Sequence, residues 1–459
     1  MESRIERLET SFRDPAGFLY KNNGVLYRFV SNTYEQHYKA AVNSGLFRQL
    51  IDSGLLIAFE EITENHSHRK DWLKTLKPEI ISPEILPSEW SFRQLKDAAL
   101  ITLHICKEAL QKGCILKDAT PQNIRFHRGK PVLIDHLSFE LYADGKSWQA
   151  YRQFCETMLY PLLLNHYCGM EVHRTMQAWP TGVPAKSVIQ LLPLRSRFSL
   201  NVYLHTFLAA GIGTNKINNA SKTNKPQLSK NKILQILNSL EQLVQKLHTA
   251  DAESNWKNYY QYSILSKEYL DAKVDIVSKY ANFFSSAWVL DAGCNGGAFS
   301  FLFPESNTIV AADADAACIS NLYELCKKQK RDNIYPAVID LMNPTPATGW
   351  HHAETTAFWH RYQYDVILAL ALIHHLCIAQ NLQFAQLAQT LSAHCRFLLI
   401  EFVPKSDPKT KQLLEARKDI FDNYTQHHFE EAFHTYFSWE APVLIPHSER
   451  YLYFMIKKQ

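Results

Sequence analysis

The sequence has no long hydrophobic run and no strong charge imbalance. Its longest apolar run, Val366–Leu372, is far too short to span a bilayer. The charged N-terminus lacks the apolar segment of a signal peptide. The formal net charge of +4 is too small to indicate nucleic-acid binding. We therefore expect a cytoplasmic protein with no membrane segment.

The nine cysteines exclude two common frameworks. Their number is odd and no two have C-x-x-C spacing, so neither a disulfide scaffold nor a zinc ribbon is expected. Most lie in apolar runs, as reduced core cysteines of cytosolic proteins do. No H-x-x-x-H or carboxylate spacing indicates a metal site. With 459 residues, 46% of them hydrophobic, the chain can form two or three domains.

One polar stretch divides the chain. Residues 211–232 are rich in Asn, Lys, Ser and Thr and contain no aromatic residue. Such a composition favours a flexible, solvated linker. It predicts an N-terminal domain at residues 1–210 and a C-terminal domain at residues 233–459.

Strands alternate with helices in the C-terminal domain. This alternation favours a mostly parallel, doubly wound α/β sheet. The last two strands are joined by only four residues, 446–449, too few for a crossover helix, so they must pair antiparallel. The predicted strands cover 287–291, 308–313, 335–340, 365–370 and 396–402, with a closing pair near 442–445 and 450–457.

A glycine-rich turn follows the first of these strands. Residues 289–300 read VLDAGCNGGAFS, a strand end, a turn and the start of an apolar helix-like segment. Glycine has no Cβ, so the backbone N–H groups of such a turn can approach a ligand closely. Open α/β sheets bind ligands at this end of their strands. The turn therefore predicts a cofactor site.

Two later strands also end in an acid. TIVAAD ends at Asp313, 22 residues after Asp291, and AVIDL contains Asp340. A carboxylate at such a strand end can accept hydrogen bonds from a ribose diol, and Asp315 is the alternative to Asp313. For any single acid, capping of the following helix is an equal interpretation.

The turn and the acids together resemble the class I S-adenosylmethionine-dependent methyltransferases. The family pattern acid-x-Gly-x-Gly-x-Gly falls on Asp291, Gly293, Asn295 and Gly297. Asn295 replaces the central glycine, and asparagine tolerates the left-handed conformation. A nicotinamide site would need G-x-G-x-x-G, which this spacing does not match. The resemblance implies a Rossmann-like, seven-stranded sheet, parallel with an antiparallel edge hairpin.

The resemblance also implies S-adenosylmethionine as the cofactor. Gly293 and Gly297 would let the backbone approach its methionine part, and Asp291 would hold its ammonium group. Asp313 would bind the ribose. Asp340 would accept from the adenine amino group, with Leu341 or Met342 on the ring. The complete implied set is Asp291, Gly293, Cys294, Asn295, Gly297, Phe299, Asp313, Ala314, Asp340, Leu341 and Leu370.

The fourth strand leads to candidate catalytic residues. YDVILALALIHHL resembles motif IV, but it lacks (N/D/S)-P-P-(Y/F) and Pro-Cys, which argues against amino-purine and cytosine-C5 methylation. His374 and His375 could remove a proton from a hydroxyl or an amine, and Glu401 is a second candidate base. Alternatively, one histidine caps a helix and the other packs. The expected acceptor is an oxygen or nitrogen of a small molecule, a carbohydrate-like compound or a protein.

The N-terminal half contains a second candidate site. Asp118 and Asn123 in LKDATPQN, with Asp135 ending PVLID, resemble the catalytic loop and metal-binding aspartate of protein-kinase-like phosphotransferases. In that scheme Asp118 is the base and the other two hold Mg²⁺. However, residues 1–100 contain no glycine-rich loop, Arg28 replaces the expected lysine, and DHL replaces D-F-G.

We therefore expect an N-terminal α+β domain that is a degenerate kinase-like module for substrate recognition. A buried hairpin with two capped acids, an active kinase that makes the protein bifunctional, and a non-catalytic scaffold are the alternatives.

Longer segments resemble a bacterial group of nodulation-protein-like methyltransferases. They are EWSFRQLKDAALITL and LKDATPQNI in the N-terminal half, and DLMNPTPATGW, LALALIHHL and IEFVPKSDPKTKQLLEARKDIFDNYTQHHFEEAF in the C-terminal half. Upstream of the C-terminal sheet, the aromatic segment Trp256–Tyr262 is expected either to cover the cofactor as a lid or to pack in the core. The sequence gives no indication of oligomeric state.

Overall fold

Two units make up the chain in the computed structural model, which describes residues 5–208, 228–249, 266–415 and 417–459. The first unit comprises Met1–Ala252 together with Thr348–Thr355. The second comprises Glu253–Ala347 and Thr356–Gln459. Most of the predicted linker and the whole aromatic segment Trp256–Tyr262 lie outside the described residues, so both remain predictions.

The first unit begins with a five-stranded antiparallel sheet in the order β1-β2-β3-β5-β4. The rings of Phe18, Tyr20 and Phe29 form a small core on it. Two helices lie between β3 and β4 in the chain. The bounds are β1 Ile5–Arg7, β2 Gly17–Asn22, β3 Val25–Ser31, α1 Glu35–Asn43, α2 Leu46–Asp52, β4 Phe59–Ile62 and β5 Trp72–Pro78.

A long buried helix begins the remainder of this unit. It is α3, Phe92–Gln111, with the predicted bounds, and it starts at a capping box in which the Ser91 N–H donates to Gln94 Oε1. Two antiparallel strand pairs follow, β6 with β9 and β7 with β8. The bounds are β6 Cys114–Leu116, β7 Ile124–His127, β8 Lys130–Leu133, β9 Phe139–Leu141, α4 Tyr151–Phe154, α5 Tyr160–Cys168, α6 Val172–Ala178, α7 Ala185–Leu191, α8 Leu200–Tyr203 and α9 Lys230–Lys246.

Helix α9 belongs to the first unit, which corrects the expected boundary at residue 233. It packs against α3, where Lys107 Nζ lies 2.6 Å from Glu241 Oε2. Lys96 Nζ donates to the carbonyl oxygens of Gln245 and Leu247. The apolar face of α9 is thus buried on a helix distant in sequence, which its own periodicity could not indicate.

The second unit is built on one mixed sheet in the order β12-β11-β10-β13-β14-β17-β15, with β16 also paired to β17. The first five strands in this order run parallel, and β17 is antiparallel to β14. The strands are β10 Trp288–Ala292, β11 Thr308–Asp313, β12 Ile334–Val338, β13 Tyr364–Ala369, β14 Cys395–Phe402, β15 Phe437–Trp439, β16 Val443–Leu444 and β17 Tyr451–Lys457.

The antiparallel edge differs from the expected seven-stranded sheet. A three-residue strand, β15, pairs with β17 and brings the sheet to eight strands. Three residues are too few to show an alternating pattern, so the sequence did not indicate this strand. The helices of the unit are α10 Lys267–Ala281, α11 Ala316–Gln329, α12 Phe358–Arg361, α13 Phe384–His394, α14 Pro408–Glu415 and α15 Gln426–His434.

The five parallel strands of this sheet are largely buried on both faces, as parallel strands covered by helices are. Val289, Ile309, Val366 and Leu399 from four neighbouring strands belong to one apolar core cluster. Among the described residues, no helix combines the length and apolar character needed to cross a membrane.

Candidate functional site

The glycine turn is fixed between the ends of β10 and β11. The N–H groups of Gly293 and Cys294 both donate to the carbonyl oxygen of Ala312, at 2.8 and 3.0 Å. Gly293 has φ +76°, and a Cβ there would come within 3.0 Å of Leu372 Cδ1. A side chain at position 293 would therefore be strained, and the turn packs against the loop that follows β13.

Asp291 lies inside β10, opposite Ala311 and Leu368 of the two neighbouring strands. It is buried, and the hydroxyl of Ser300 donates to its Oδ2 at 2.6 Å. Burial raises the pKa of Asp291 to about 6, and the nearby carboxylate of Asp313 acts in the same direction. The strand thus holds a carboxylate that gains stability from any cation bound beside it.

Asp313 ends β11 and accepts hydrogen bonds from both sides. The Asn295 N–H donates to its Oδ2 at 2.8 Å and the Asp315 N–H donates to its Oδ1 at 2.9 Å. Burial raises the pKa of this carboxyl above its usual range. Asp315, the alternative ribose ligand, instead caps α11, because its Oδ1 accepts from the N–H groups of Ala317 and Cys318.

The other proposed cofactor residues surround the same ends of the strands. Asp340 is exposed beyond β12, and its Oδ1 accepts from the Met342 N–H at 3.0 Å. Leu341 is half-buried, Ala314 is exposed and Leu370 is buried directly after β13. Cys294 and Phe299 are buried beside the turn.

Beyond β13, the two histidines have different environments. His374 is fully buried, and neither ring nitrogen has a hydrogen-bond partner within the part of the chain that the structure describes. His375 is partly exposed, and the centroids of the two rings lie 4.1 Å apart. Burial, together with the neighbouring cations, lowers the pKa of His374 well below its usual range and that of His375 to about 4. Both rings are therefore neutral at pH 7.

Glu401 is held in a buried ion network, which corrects its expected role as a base. Its Oε2 lies 2.5 Å from Lys273 Nζ, and its Oε1 accepts from the Tyr269 hydroxyl at 2.7 Å and from Arg450 Nη1 at 3.2 Å. Burial alone would raise the pKa of Glu401, but Lys273 and Arg450 lower it to about 2. A carboxylate with such partners cannot take a proton near neutral pH.

Arg450 extends the network to a second carboxylate. It is fully buried, and its Nε and Nη2 donate to the two oxygens of Asp407 at 2.7 and 2.9 Å. Arg450 directly precedes β17, and Asp407 directly precedes α14. Sequence reasoning missed Tyr269, Lys273, Asp407 and Arg450, because no local motif links residues so far apart in the chain.

In the first unit, Arg28 of β3 lies between two acids. Its Nη2 is 2.7 Å from Asp14 Oδ2 and 2.9 Å from Asp135 Oδ1. The Ser138 hydroxyl donates to the other oxygen of Asp135 at 2.5 Å. Burial alone would raise the pKa of Asp135, but Arg28 and Ser138 hold it below its usual range. Asp135 is thus a carboxylate that shares one internal cation, Arg28, with Asp14.

The two other kinase-like residues lie on the loop after β6. Burial and the Asp135 charge raise the pKa of Asp118, and its Oδ1 has no hydrogen-bond partner among the described residues. Asn123 Nδ2 donates to Ser138 Oγ at 3.2 Å. Within the described ranges, no group of three or more His, Cys, Asp or Glu residues is arranged to hold a metal ion.

The order of the sheet and the glycine turn define the class of the second unit. With β17 inserted antiparallel between β14 and β15, this is the Rossmann-like sheet of the class I methyltransferases. No protein-family model matches the chain. The chain is 30% identical to nodulation protein NoeA of Rhizobium meliloti (strain 1021) over 463 residues, which cover 98% of this chain and 96% of NoeA. The chain therefore belongs to the NoeA family.

Two further similarities cover only part of the chain. The U6 snRNA methylphosphate capping enzyme Amus of Drosophila melanogaster is 27% identical over 135 residues, 26% of this chain and 40% of that enzyme. The match to the crystal structure of the N-methyltransferase NodS from Bradyrhizobium japonicum WM9 covers 42% of this chain and 99% of the NodS chain. The two are 11% identical, with a TM-score of 0.32.

Proposed function

We propose that the chain is an S-adenosylmethionine-dependent methyltransferase whose second unit binds the cofactor. The proposal depends mainly on the glycine turn, which hydrogen bonds hold between β10 and β11. Asp291 and Asp313 stand on either side of it as buried or partly buried carboxylates. The similarity to NoeA extends over nearly the whole chain, so the second unit and the first unit both have counterparts in that relative.

The residues of the turn fit this cofactor chemically. Gly296 leaves open space, since no atom lies within 4 Å of the position where its Cβ would stand. Asp291, whose pKa burial raises, would be stabilised by the cofactor ammonium group. A carboxylate has about four lone-pair sites, so Asp313 can accept from ribose hydroxyls in addition to the N–H groups of Asn295 and Asp315. Asp340 would accept from the adenine amino group.

When bound, S-adenosylmethionine supplies an electrophilic methyl group. The role of this chain is to place an acceptor atom in line with it and to exclude water. Leu372 lies against Gly293, and His374 and His375 follow it in the same loop. These residues form the wall on which we place an oxygen or nitrogen acceptor from a small molecule, a glycan or a protein.

Two further observations fit this assignment. The Drosophila relative is named a methylphosphate capping enzyme, which is compatible with methyl transfer by this chain. All nine cysteines are free thiols, eight of them buried, which is compatible with the proposal that the protein works in the reducing cytoplasm.

Calorimetric titration with S-adenosylhomocysteine tests the cofactor assignment. We expect one binding site in the wild type and at least tenfold weaker binding in Asp313→Ala. Asp315→Asn is the matched control, because asparagine also caps a helix and binding should be unchanged. Equal binding by Asp313→Ala and wild type, or no binding by the wild type, would refute the proposal.

For the first unit we propose a kinase-like module that serves substrate recognition and has lost phosphotransfer. Its support is the five-stranded sheet in the order β1-β2-β3-β5-β4, followed by α3 and the pairs β6–β9 and β7–β8. Magnesium does not fit the cluster as it stands, because Arg28 occupies one oxygen of Asp135 and the Ser138 hydroxyl donates to the other.

A nucleotide titration distinguishes this module from an active kinase. We expect no magnesium-dependent ATP binding by the wild-type chain, measured by calorimetry with ATP in the presence and absence of Mg²⁺. Binding that requires Mg²⁺ and disappears in Asp135→Ala would instead support a bifunctional protein.

A further inference from the structure

One short helix of the first unit carries large apolar side chains on its outer face. Helix α8 continues directly into a wide π-helical turn, so residues 200–208 form one helical segment. Leu200, Tyr203, Leu204 and Leu208 are all exposed, at the spacing i, i+3, i+4 and i+8. On a globular protein this spacing normally marks the face that a helix buries.

The inner face of the same segment is mostly polar. His205 is buried, with Nδ1 2.8 Å from the Tyr151 hydroxyl oxygen and Nε2 2.9 Å from Ser239 Oγ. Thr206 is also buried, and its hydroxyl donates to the carbonyl oxygen of Val202 at 2.6 Å. The segment is therefore held to the first unit largely through polar contacts, while its leucines point outward, the reverse of the usual arrangement.

The residues before α8 extend this exposed surface. Phe198 is 91% exposed and Leu194 is 72% exposed, and both lie in a turn that packs against α8. Leu191, at the end of α7, is exposed too, and α7 packs against residues 204–208. We call this set the 191–208 surface; it consists of Leu191, Leu194, Phe198, Leu200, Tyr203, Leu204 and Leu208. A contiguous exposed apolar surface of this kind marks a site of interaction with another molecule.

The segment that forms this surface carries positive charge only. No Asp or Glu occurs between Glu171 and Glu241, whereas residues 172–208 include Arg174, Lys186, Arg195 and Arg197. The guanidinium carbon of Arg197 lies 4.8 Å from the centroid of the Phe207 ring. That ring stacks on Tyr203, with centroids 5.8 Å apart, so a cation lies directly beside the exposed apolar side chains.

This combination fits a lipid surface better than a protein partner. A ring as exposed as that of Phe198 projects into solvent, so a rigid partner would need a pocket shaped to receive it. The boundary between headgroups and acyl chains accepts such a ring without a preformed pocket, together with neighbouring leucines. Lysine and arginine beside those side chains are attracted to anionic headgroups.

We propose that the 191–208 surface binds the surface of a membrane that contains anionic phospholipids. Phe198 and the leucines enter the boundary between headgroups and acyl chains, and Arg197 and Lys186 contact headgroup phosphates. This binding holds the first unit at a lipid surface. It is additional to the proposed methyl transfer and does not depend on it.

Co-sedimentation of the full chain with lipid vesicles tests the proposal. Two kinds of vesicle are compared, phosphatidylcholine alone and phosphatidylcholine mixed with phosphatidylglycerol. We expect binding to the mixed vesicles, weakened by added salt, and at least tenfold weaker binding to phosphatidylcholine alone. Binding to neither kind, or equal binding to both, would overturn the inference.

A pair of phenylalanine variants assigns the binding to this surface. Phe198→Asn should weaken binding to the mixed vesicles about tenfold, because one ring is no longer buried in the lipid. The matched control is Phe283→Asn, since the Phe283 ring is 74% exposed in the second unit, and binding should be unchanged. Equal binding by all three proteins, or equal losses in the two variants, would overturn the inference.

A pair of arginine variants tests the contribution of charge. Arg197→Gln should weaken binding to the mixed vesicles about fivefold. Arg48→Gln removes the same charge from an exposed site on α2, where Arg48 pairs with Asp52, and should leave binding unchanged. Similar losses in both variants would show that only net charge matters, and would count against the site.

Sedimentation velocity without vesicles distinguishes a membrane from a second copy of the chain. We expect wild type and Phe198→Asn to sediment alike. A wild-type dimer that Phe198→Asn converts to a monomer, without vesicle binding by the wild type, would assign the 191–208 surface to a protein interface and overturn the inference.

Discussion

The carboxylate of Glu401 lies 2.5 Å from the ammonium group of Lys273, and neither side chain reaches solvent. The pair joins the end of β14 to α10, the helix that precedes the sheet. A buried ion pair is stable only when its remaining polar atoms are satisfied, and Tyr269 and Arg450 do this for Glu401. The pair therefore fixes the end of β14, the strand that pairs with β13.

Removing the Glu401 charge should destabilise the second unit strongly. In Glu401→Gln, Lys273 and Arg450 lose a buried partner, at an expected cost of about 3–5 kcal/mol in the free energy of unfolding. Chemical denaturation of wild type and Glu401→Gln measures this loss in the free energy of unfolding. Glu324→Gln removes an exposed pair with Lys327 in the same unit and should cost less than about 1 kcal/mol. Similar losses in both variants would contradict the account.

The same pair predicts a dependence of stability on pH. Its cations hold the pKa of Glu401 at about 2, below the ordinary value of 4.5. Because the folded pKa is lower than the unfolded one, this contribution is complete above pH 4.5 and is lost as the pH falls toward 2. The stability difference between wild type and Glu401→Gln, followed by urea unfolding, should shrink over that range. A difference that stays constant from pH 7 to pH 3 would contradict it.

Asp291 should show the opposite behaviour. Its folded pKa is raised from 3.8 to about 6. Ionising Asp291 therefore lowers the free energy of unfolding, and this loss is absent below pH 3.8 and complete above about pH 6. Asp291→Asn should therefore stabilise the cofactor-free protein at pH 8 by roughly 1–3 kcal/mol while weakening cofactor binding. Urea unfolding and calorimetry measure the two effects. A variant less stable than wild type at pH 8 would contradict the prediction.

Two neighbouring glycines provide a matched comparison. Gly297 has φ +78°, and a Cβ there would come within 2.5 Å of Leu322 Cδ1, whereas a Cβ at Gly296 would meet open space. Gly297→Ala should cost at least about 1 kcal/mol in stability, and Gly296→Ala should change it by no more than about 0.5 kcal/mol. Thermal unfolding compares them. Equal stabilities would show that the turn is not built as described.

Local signals in the sequence explain which parts could be predicted. The glycine turn and the bounds of α3 follow from residues within one segment, as do the five parallel strands. Strand β15 and the packing of α9 on α3 depend on distant partners, and their own residues carry too little pattern. The type of fold was therefore more predictable than the edge of the sheet and the boundary between the two units.

The residues of the candidate site also divide into those that a local motif indicates and those whose role depends on distant partners. Asp291, Gly293 and Asp313 could be proposed from the sequence because they stand at fixed places around one turn, which the structure also forms. The role of Glu401 was predicted wrongly, because its partners Lys273 and Arg450 lie 128 residues before it and 49 residues after it. A lone acid at a strand end is chemically ambiguous until its neighbours are known.

The most direct measurement is a calorimetric titration of the full chain with S-adenosylhomocysteine and, separately, with NAD⁺. The account predicts one binding site for S-adenosylhomocysteine and no heat with NAD⁺, because the turn matches the methyltransferase spacing and not G-x-G-x-x-G. Binding of NAD⁺ in place of S-adenosylhomocysteine, or of neither, would contradict it.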